Sequence, residues 1–354
     1  MKEKLKIFVA IFEDFAHNDG NPYVPTLEDA ISAKYPEVEF CSEKEKFWSE
    51  DDWDIVHIMW PDVFAPRMKE GRDLQKRIQF LKKKGTAIVA TVHNMDTHYM
   101  DAVRTQAYRI VYSEADMLIH LGSYSMEILK GQYPEAKHVL IPHHIYDTYY
   151  TQALPTKQEA LRHFKRENGV YVLSFGAMRN ASEKELILRA VKQCPDVFFV
   201  VPRFLDIPQG KVDKRWIKQR LKWIYYRLKY PNLIIRGGKF ISDEELPMYY
   251  ALTDITFIQR IDTLNSGNLP LGMYMGHVIV GPNVGNVGRI LEETGNYAFE
   301  PNDTNSITRS LQAASEALMK SKGLENRQYA IQHWNTRLIA DEYWEVYKLL
   351  IDNK

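Results

Sequence analysis

Two short segments in the second half of this 354-residue chain carry residue types suited to holding a diphosphate. The first reads Phe175-Gly176-Ala177-Met178-Arg179-Asn180-Ala181-Ser182-Glu183-Lys184. An apolar run ends at Gly176 and a helical pattern begins near Ser182, with Ser182 and Glu185 at capping-box spacing. Arg179 would stand in the loop and Lys184 in the first helical turn, where both cations could meet an anion. The second segment reads Asn265-Ser266-Gly267-Asn268-Leu269-Pro270. Its small residues leave backbone N–H groups open, and Pro270 suits the first turn of a helix, where its missing N–H costs nothing. A helix N-terminus adds roughly half a positive charge, so this segment reads as an anion cradle. Either segment alone also fits an ordinary turn. Each follows a strand in the same half of the chain, so both belong to one sheet edge and one anionic ligand.

Proton-transfer candidates gather in the first half. Asp14, His17 and Asp19 lie in the loop after the first strand, and His93, Asp96 and His98 follow the fourth. His93 leads because it leaves its strand directly, and Asp96 and Asp19 complete the catalytic candidates. His143 and His144 read mainly as closing a strand end. Asp51, Asp52 and Asp54 precede a strand, at the edge opposite the candidates, and read as a solvated turn. No cluster has metal-ligand spacing, so neither a metal nor an organic cofactor is expected.

Residues 211–230 form a different kind of feature. Eight Lys/Arg stand there against one Asp, interleaved with Trp216, Trp223, Tyr225, Tyr226 and Tyr230. Trp216, Arg220, Trp223 and Arg227 recur at helical spacing. Such a helix suits an anionic membrane surface. It equally suits a surface helix whose aromatics pack inward and whose cations are solvated. No nucleic-acid motif accompanies it, and nucleic acid is not an expected partner.

The elements that must position these residues alternate along the whole chain. Leu5–Phe12, Val38–Cys41, Asp54–Trp60, Thr86–His93, Asp116–Gly122 and His138–Pro142 read as strands. Runs such as Thr86–Val92 are apolar at nearly every position, as in strands covered on both faces. Amphipathic stretches such as Arg67–Lys84 and Ser123–Gln132 separate them. Asp147–Gly169 breaks the pattern and reads as a linker containing a helix over Lys157–Arg166. The alternation then restarts with strands at Val170–Phe175, Val197–Val201, Leu233–Ile235, Ile255–Ile258, Val278–Val280 and Tyr297–Phe299. Helices are expected over Glu183–Gln193, Asp243–Leu252, Leu269–Gly276, residues 305–322 and Thr336–Asp352. The fold class is therefore α/β, with two doubly wound parallel sheets. Domains are expected at 1–148 plus 333–354 and at 149–332.

The totals fit two ordinary domains: 45% hydrophobic, 26% charged, and 46 Lys+Arg balanced by 46 Asp+Glu. Net charge selects no partner. Cys41 and Cys194 read as buried free thiols, which suits a reducing cytoplasm. No stretch is long and apolar enough to span a bilayer, so membrane contact would be peripheral, at the inner face. Neither first strand–helix turn carries the G-x-G-x-x-G pattern, which disfavours a dinucleotide oxidoreductase.

With these residues in view, the chain resembles GT-B glycosyltransferases, in particular family 4 and the group 1 enzymes of bacterial polysaccharide synthesis. The resemblance covers most of residues 85–301. It rests on Arg179 and Lys184 at an R-x4-K spacing, on the segment Phe257 to Gly276, and on Val278-Ile279-Val280-Gly281-Pro282. Asp54–Pro61 and Thr91-Val92-His93-Asn94 add to it, as does the terminal helix around Trp344, similar to the GT-B helix that returns to the first domain. The resemblance implies two Rossmann-like domains facing across a cleft, 1–148 with 333–354 on the acceptor side and 149–332 on the donor side. It implies a nucleotide-sugar donor whose diphosphate is held by Arg179, Lys184 and the segment Asn265, Ser266, Gly267 and Asn268. His93 would face the donor sugar, and the acceptor would be a glycan or a lipid-linked glycan. One departure stands out. The family carries two glutamates eight residues apart where this chain has Thr263 and Leu271. Neither ionises, so a retaining mechanism does not carry over. A non-catalytic sugar-nucleotide-binding scaffold and a nucleotide-sugar epimerase remain as alternatives.

Overall fold

The computed structural model describes residues 4–12, 21–98, 100–205, 207, 213–236 and 241–352. Asp14, His17, Asp19 and Lys211 lie outside the described residues. The chain divides into two compact units, residues 1–149 with 333–354, and residues 150–332.

The first unit is built on one six-stranded sheet of β1 (Leu5–Ala10), β2 (Val38–Cys41), β3 (Ile55–Ile58), β4 (Ala87–Val92), β5 (Met117–His120) and β6 (Lys137–Leu140). The order is β2-β1-β3-β4-β5-β6 and every pairing is parallel. All six residues of β4 are buried, which explains its apolar run. The helix expected over Arg67–Lys84 is interrupted. A 3-10 turn at Pro61–Phe64 leads into a helix at Ala65–Lys69, and Gly71 takes a left-handed φ of +92°. A new helix then starts at Leu74, where the Asp73 carboxylate accepts from the Lys76 amide at 3.0 Å.

The helix Thr336–Asp352 packs on the helix Tyr23–Lys34 of this same unit. Its buried face inserts hydroxyls as well as hydrocarbon. Tyr347 Oη lies 2.7 Å from His57 Nδ1, and His57 Nε2 lies 2.8 Å from Thr91 Oγ1. Tyr343 Oη meets Thr91 Oγ1 at 3.4 Å and Tyr23 Oη at 3.0 Å. Burial raises the Glu28 carboxyl to about 7, with the Asp29 charge adding to it. Trp344 stacks on Tyr35 with ring centroids 4.4 Å apart. Cys41 is only half-buried and Cys194 is buried; both thiols are free, so the expectation of two buried thiols holds for one.

The second unit carries β7 (Val170–Leu173), β8 (Val197–Val200), β9 (Leu233–Ile234), β10 (Ile255–Phe257), β11 (Val278–Pro282) and β12 (Tyr297–Phe299). Its order is β12-β11-β10-β7-β8-β9, again parallel throughout. Counted from its own first strand this is the 3-2-1-4-5-6 arrangement of nucleotide-binding sheets. The stretch taken as a linker contributes a helix, Lys157–Phe164, closed by a Thr156/Glu159 capping box. Ala160 and Leu161 are buried, so this helix belongs to the core of the second unit. Asn232 locks the β8–β9 connection: its Nδ2 donates to the carbonyls of Val191, Cys194 and Val197 at 3.0–3.1 Å. The helix expected over 305–322 forms as Thr304–Leu318, and a further helix that the pattern did not mark follows at Lys322–His333. Gly323, in the second, approaches Gly276 so closely that a Cβ there would lie 2.0 Å from the Gly276 carbonyl oxygen.

Candidate functional site

In an open parallel sheet, ligands bind at the carboxyl ends of the strands where the strand order reverses. In the second unit that point lies between β7 and β10, and both sequence-predicted phosphate segments leave the sheet there. The first turns at Gly176, whose φ of +103° suits only glycine. The helix that follows, Ala181–Gln193, starts two residues before the expected boundary. Its cap is Asn180, whose Oδ1 accepts from Glu183 N at 2.9 Å. Ser182 and Glu185 do not form the expected box. Ser182 Oγ donates to Asn180 Oδ1, and Glu185 pairs with Arg189. The carboxylate that turns back is Glu183: its Oε2 accepts from Arg179 N at 2.8 Å and fixes the loop backbone. Arg179 is exposed; Lys184 is half-buried, its ammonium 5.9 Å from the centre of the Phe204 ring.

The second segment leads into a two-turn helix, Asn268–Tyr274, with Gly267 at the cap. Asn268 Nδ2 donates to Phe175 O at 2.9 Å, so the two loops are bonded to each other. Asn265 is held in turn: its carbonyl accepts from Thr263 Oγ1 at 2.6 Å and its Oδ1 from Asn286 Nδ2 at 2.8 Å. Thr263 and Leu271, at the positions of the two glutamates, are both buried. Thr263 closes the loop and Leu271 packs in the interior, so both positions serve structure.

A further cation stands in this group. Arg260 follows β10 by three residues, and its Nε lies 3.9 Å from Glu183 Oε1. The Glu183 side chain is 1% exposed and that of Arg260 23%. Burial, and then the charge of Arg179, pull the Arg260 guanidinium down to about 10, so it stays charged at neutral pH. Sequence reasoning passed over Arg260 because no spacing motif singles it out. The available signal was a basic residue just past a strand that ends at the reversal point.

In the first unit, His93 leaves β4 into a cage of rings. It stacks on Trp60 at 4.5 Å and meets Tyr23 edge-on at 5.0 Å. Tyr23 also packs against His143 and stacks on His144, which lies 3.0 Å through Nε2 from Tyr23 O. His143 Nε2 lies 3.3 Å from Tyr146 Oη. Burial, together with the neighbouring His143, pushes His93 down to about 3. Burial does the same to His143, at about 3, and to His144, at about 4. All three imidazoles are neutral at physiological pH. His143 and His144 thus belong to a built cluster rather than to a strand end alone. Asp96 is exposed and accepts from Thr97 N at 2.7 Å, and His98 Nε2 lies 2.9 Å from Asn94 Oδ1.

The basic segment folds as the helix Lys214–Lys229, capped by Asp213. Four of its five aromatics face inward, and Tyr225 is exposed. Trp216, Trp223, Tyr226 and Tyr230 are half-buried, and Trp223 Nε1 donates to Ile235 O at 3.0 Å. Arg220 and Arg227 lie over the Trp223 ring at 4.3 and 4.5 Å. The opposite face is aliphatic: Ile217, Leu221, Ile224 and Leu228 are all exposed, Leu228 to 80%. At about 100° per residue these four form one stripe. Lys214, Lys218, Lys222 and Lys229 run along one side of it, and Arg220 and Arg227 along the other. The outward face is therefore not the Trp216/Arg220/Trp223/Arg227 face that the spacing suggested. No described helix is long and apolar enough to cross a membrane.

No family description matches the chain, and no curated protein sequence does. Solved structures do. Sucrose-phosphate synthase from Thermosynechococcus elongatus superposes with a TM-score of 0.70 at 14% identity, over 99% of this chain and 100% of that one. HepE from Anabaena, in complex with UDP-glucose, gives 0.71 at 11% identity, over 97% and 99%. A putative UDP-N-acetylglucosamine 2-epimerase from Listeria monocytogenes gives 0.62 at 8% identity, over 99% and 98%. The chain is similar to each of these in fold.

Proposed function

We propose that the protein, whose fold is GT-B with two six-stranded parallel sheets, is a glycosyltransferase that takes a sugar from a nucleotide-diphosphate donor and passes it to a glycan or lipid-linked acceptor. One observation carries the reading: Arg179, Lys184 and the Asn265–Asn268 loop gather at the strand-order reversal of the second sheet, on loops bonded to each other through Asn268 and Phe175. HepE was solved with UDP-glucose, a donor of the proposed class.

The chemistry follows from charge. As the bond between the sugar's anomeric carbon and the diphosphate oxygen breaks, the diphosphate keeps the electron pair. Fixed cations and backbone amides aimed at that growing charge lower the barrier, and such preorganised electrostatics is the largest contribution in many enzymes. Arg179, Lys184 and the amides of Ser266, Gly267 and Asn268 supply it in this reading. They carry the neutralisation that a divalent ion would otherwise provide. The acceptor hydroxyl bonds to the anomeric carbon, and its proton passes to the departing diphosphate, whose oxygen has kept the electron pair of the broken bond. His93, held near 3, is mismatched to proton abstraction at neutral pH. Its neutral ring favours a hydrogen bond to a sugar hydroxyl instead.

We assign the outer stripe of the helix Lys214–Lys229 to the surface of an anionic membrane, at the cytoplasmic face, where a lipid-linked acceptor would be met. Each nearby cation adds on the order of 1 kcal/mol of attraction to acidic lipid. Flotation with phosphatidylglycerol vesicles tests this. Leu221→Gln/Leu228→Gln should lose the vesicle-bound fraction, and equal recovery with phosphatidylcholine vesicles alone would refute it.

A panel of UDP-, GDP-, ADP- and CMP-linked sugars, scored for binding and slow hydrolysis, tests the function itself. Binding and turnover that both vanish in Arg179→Ala/Lys184→Ala support the transferase. Unchanged binding in that variant removes the site assignment, and binding without turnover on any donor or acceptor indicates a scaffold. The epimerase reading draws on the Listeria neighbour; an altered sugar still attached to its nucleotide would establish it.

A further inference from the structure

The Arg260–Glu183 pair is unusual for a buried ion pair because it is not closed. Arg260 Nε and Glu183 Oε1 stand 3.9 Å apart, and each is buried without a hydrogen-bond partner. Glu183 is already committed through Oε2 to the Arg179 amide. One strand position earlier, Gln259 spends its Oε1 on Ser174 Oγ at 2.9 Å and leaves Nε2 buried and unbonded. Buried donor atoms such as these are normally bonded, since an unmet buried donor costs about 1–3 kcal/mol. Here two donors from consecutive residues are left open, beside the two loops of the candidate site. The guanidinium also lies against the Gly176 backbone: a Cβ on Gly176 would stand 3.3 Å from Arg260 Nη2. Arg179 and Arg260 thus approach the same glycine turn from two strands, with Glu183 as their buried counter-charge. Like charges brought together in this way are stabilised when an anion enters between them.

We infer that Arg260 is a donor-binding residue, a third cation of the diphosphate site, with Glu183 as its positioning carboxylate. The inference rests on the donor reading above. It gives the site a means of holding both phosphates from the protein's own side chains, at a loop where Thr263 and Leu271 cannot contribute charge. The ligand class is a nucleoside diphosphate, and the second phosphate is the group that Arg260 recognises. Arg179, Lys184 and Arg260 together would select diphosphates over monophosphates.

Calorimetric titration of the full chain with UDP, GDP and ADP, and with UMP, GMP and AMP, tests it. Wild type, Arg260→Gln, Arg260→Lys and Arg260→Gln/Glu183→Gln are compared. The double variant is included because Arg260→Gln alone leaves a buried carboxylate without its counter-ion. The expected result is a loss of about tenfold to hundredfold in affinity for the diphosphate wild type binds best, as for a charged hydrogen bond. Affinity for the matching monophosphate should change less than about twofold by the same reckoning. Arg260→Lys should fall between wild type and Arg260→Gln, because the ammonium keeps the charge and loses the fork. The double variant should match Arg260→Gln. Equal losses for mono- and diphosphate, or no loss for either, would overturn the role of Arg260. If Arg179→Ala/Lys184→Ala still abolishes binding in that case, the donor reading survives without it. A wild-type chain that binds none of the six nucleotides would overturn both.

Discussion

Acid should dismantle the first unit before the second. The perturbation is a fall from pH 7 to pH 5.5. In the folded first unit, burial pushes His57, His93, His120 and His143 to about 3 and His144 to about 4. An unfolded histidine titrates near 6.5. Each of these rings therefore takes up its proton only when the chain unfolds, and stability is lost as pH drops below about 6.5. Between pH 7 and 5.5 the linkage relation gives about 1 kcal/mol for each, or about 5–6 kcal/mol together. Glu28 has the opposite sign. Raised to about 7, it takes up its proton in the folded chain first, so falling pH stabilises the fold through it. It returns about 1–2 kcal/mol. The net loss of about 4–5 kcal/mol is a large part of the 5–15 kcal/mol that holds a typical domain. In the second unit only His277, at about 4, is lowered in this way among the described histidines, for a loss of about 1 kcal/mol. Hydrogen–deuterium exchange read by peptide, at pH 7 and pH 5.5 with rates corrected for intrinsic pH dependence, separates the two units. Protection should collapse across β3, β4 and the helix Thr336–Asp352 while β7, β10 and β11 keep theirs. Parallel loss in both units, or resonances of His57, His93, His120, His143 and His144 titrating within one unit of 6.5, would refute the reasoning.

Three further outcomes follow from particular contacts. Tyr343→Phe removes the hydroxyl shared with Tyr23 and Thr91 and leaves their oxygens to repair the gap; a loss of about 1–2 kcal/mol in urea unfolding is expected, against no change if the network were idle. Gly323→Ala sets a methyl 2.0 Å from a backbone oxygen that cannot swing away, so either little folded protein or a loss above about 3 kcal/mol should appear in thermal melts. Gly176→Ala imposes a side chain at φ +103° and crowds Arg260; nucleotide affinity should fall, while the far-ultraviolet circular dichroism stays that of wild type.

The inner strands were legible because buried parallel strands are apolar on both faces, and β4 and β11 advertise this over five or six residues each; the partly exposed edge strands β2 and β6 were read from their place in the alternation with helices. Helix boundaries were less so. The break before Leu74 depends on Gly71 adopting a left-handed turn, which a glycine in a helical pattern does not announce. The cap at Asn180 was masked by a second cap-like residue two positions later, and only the three-dimensional loop decides which side chain accepts. Arg179 and Lys184 were visible as a spaced pair on one loop and helix. Arg260 was not, since it reaches Gly176 and Glu183 across the gap between two strands more than eighty residues apart in sequence. On the helix Lys214–Lys229 the aromatics drew the eye, yet large rings are the side chains a domain most profits from covering. The modest aliphatics left outside carry the sharper message.

The bond from Asn268 to the Phe175 carbonyl makes the two phosphate loops a single mechanical part. A loop that is free before binding must be frozen by its ligand, and part of the contact energy is spent on that freezing. Joined loops arrive already registered to each other, so a donor settles against one rigid rim rather than gathering two. Association should then be limited by diffusion and charge, with departure setting the affinity. A change at Asn268 would blur that division: it would slow arrival, although the amide it removes need never touch the nucleotide.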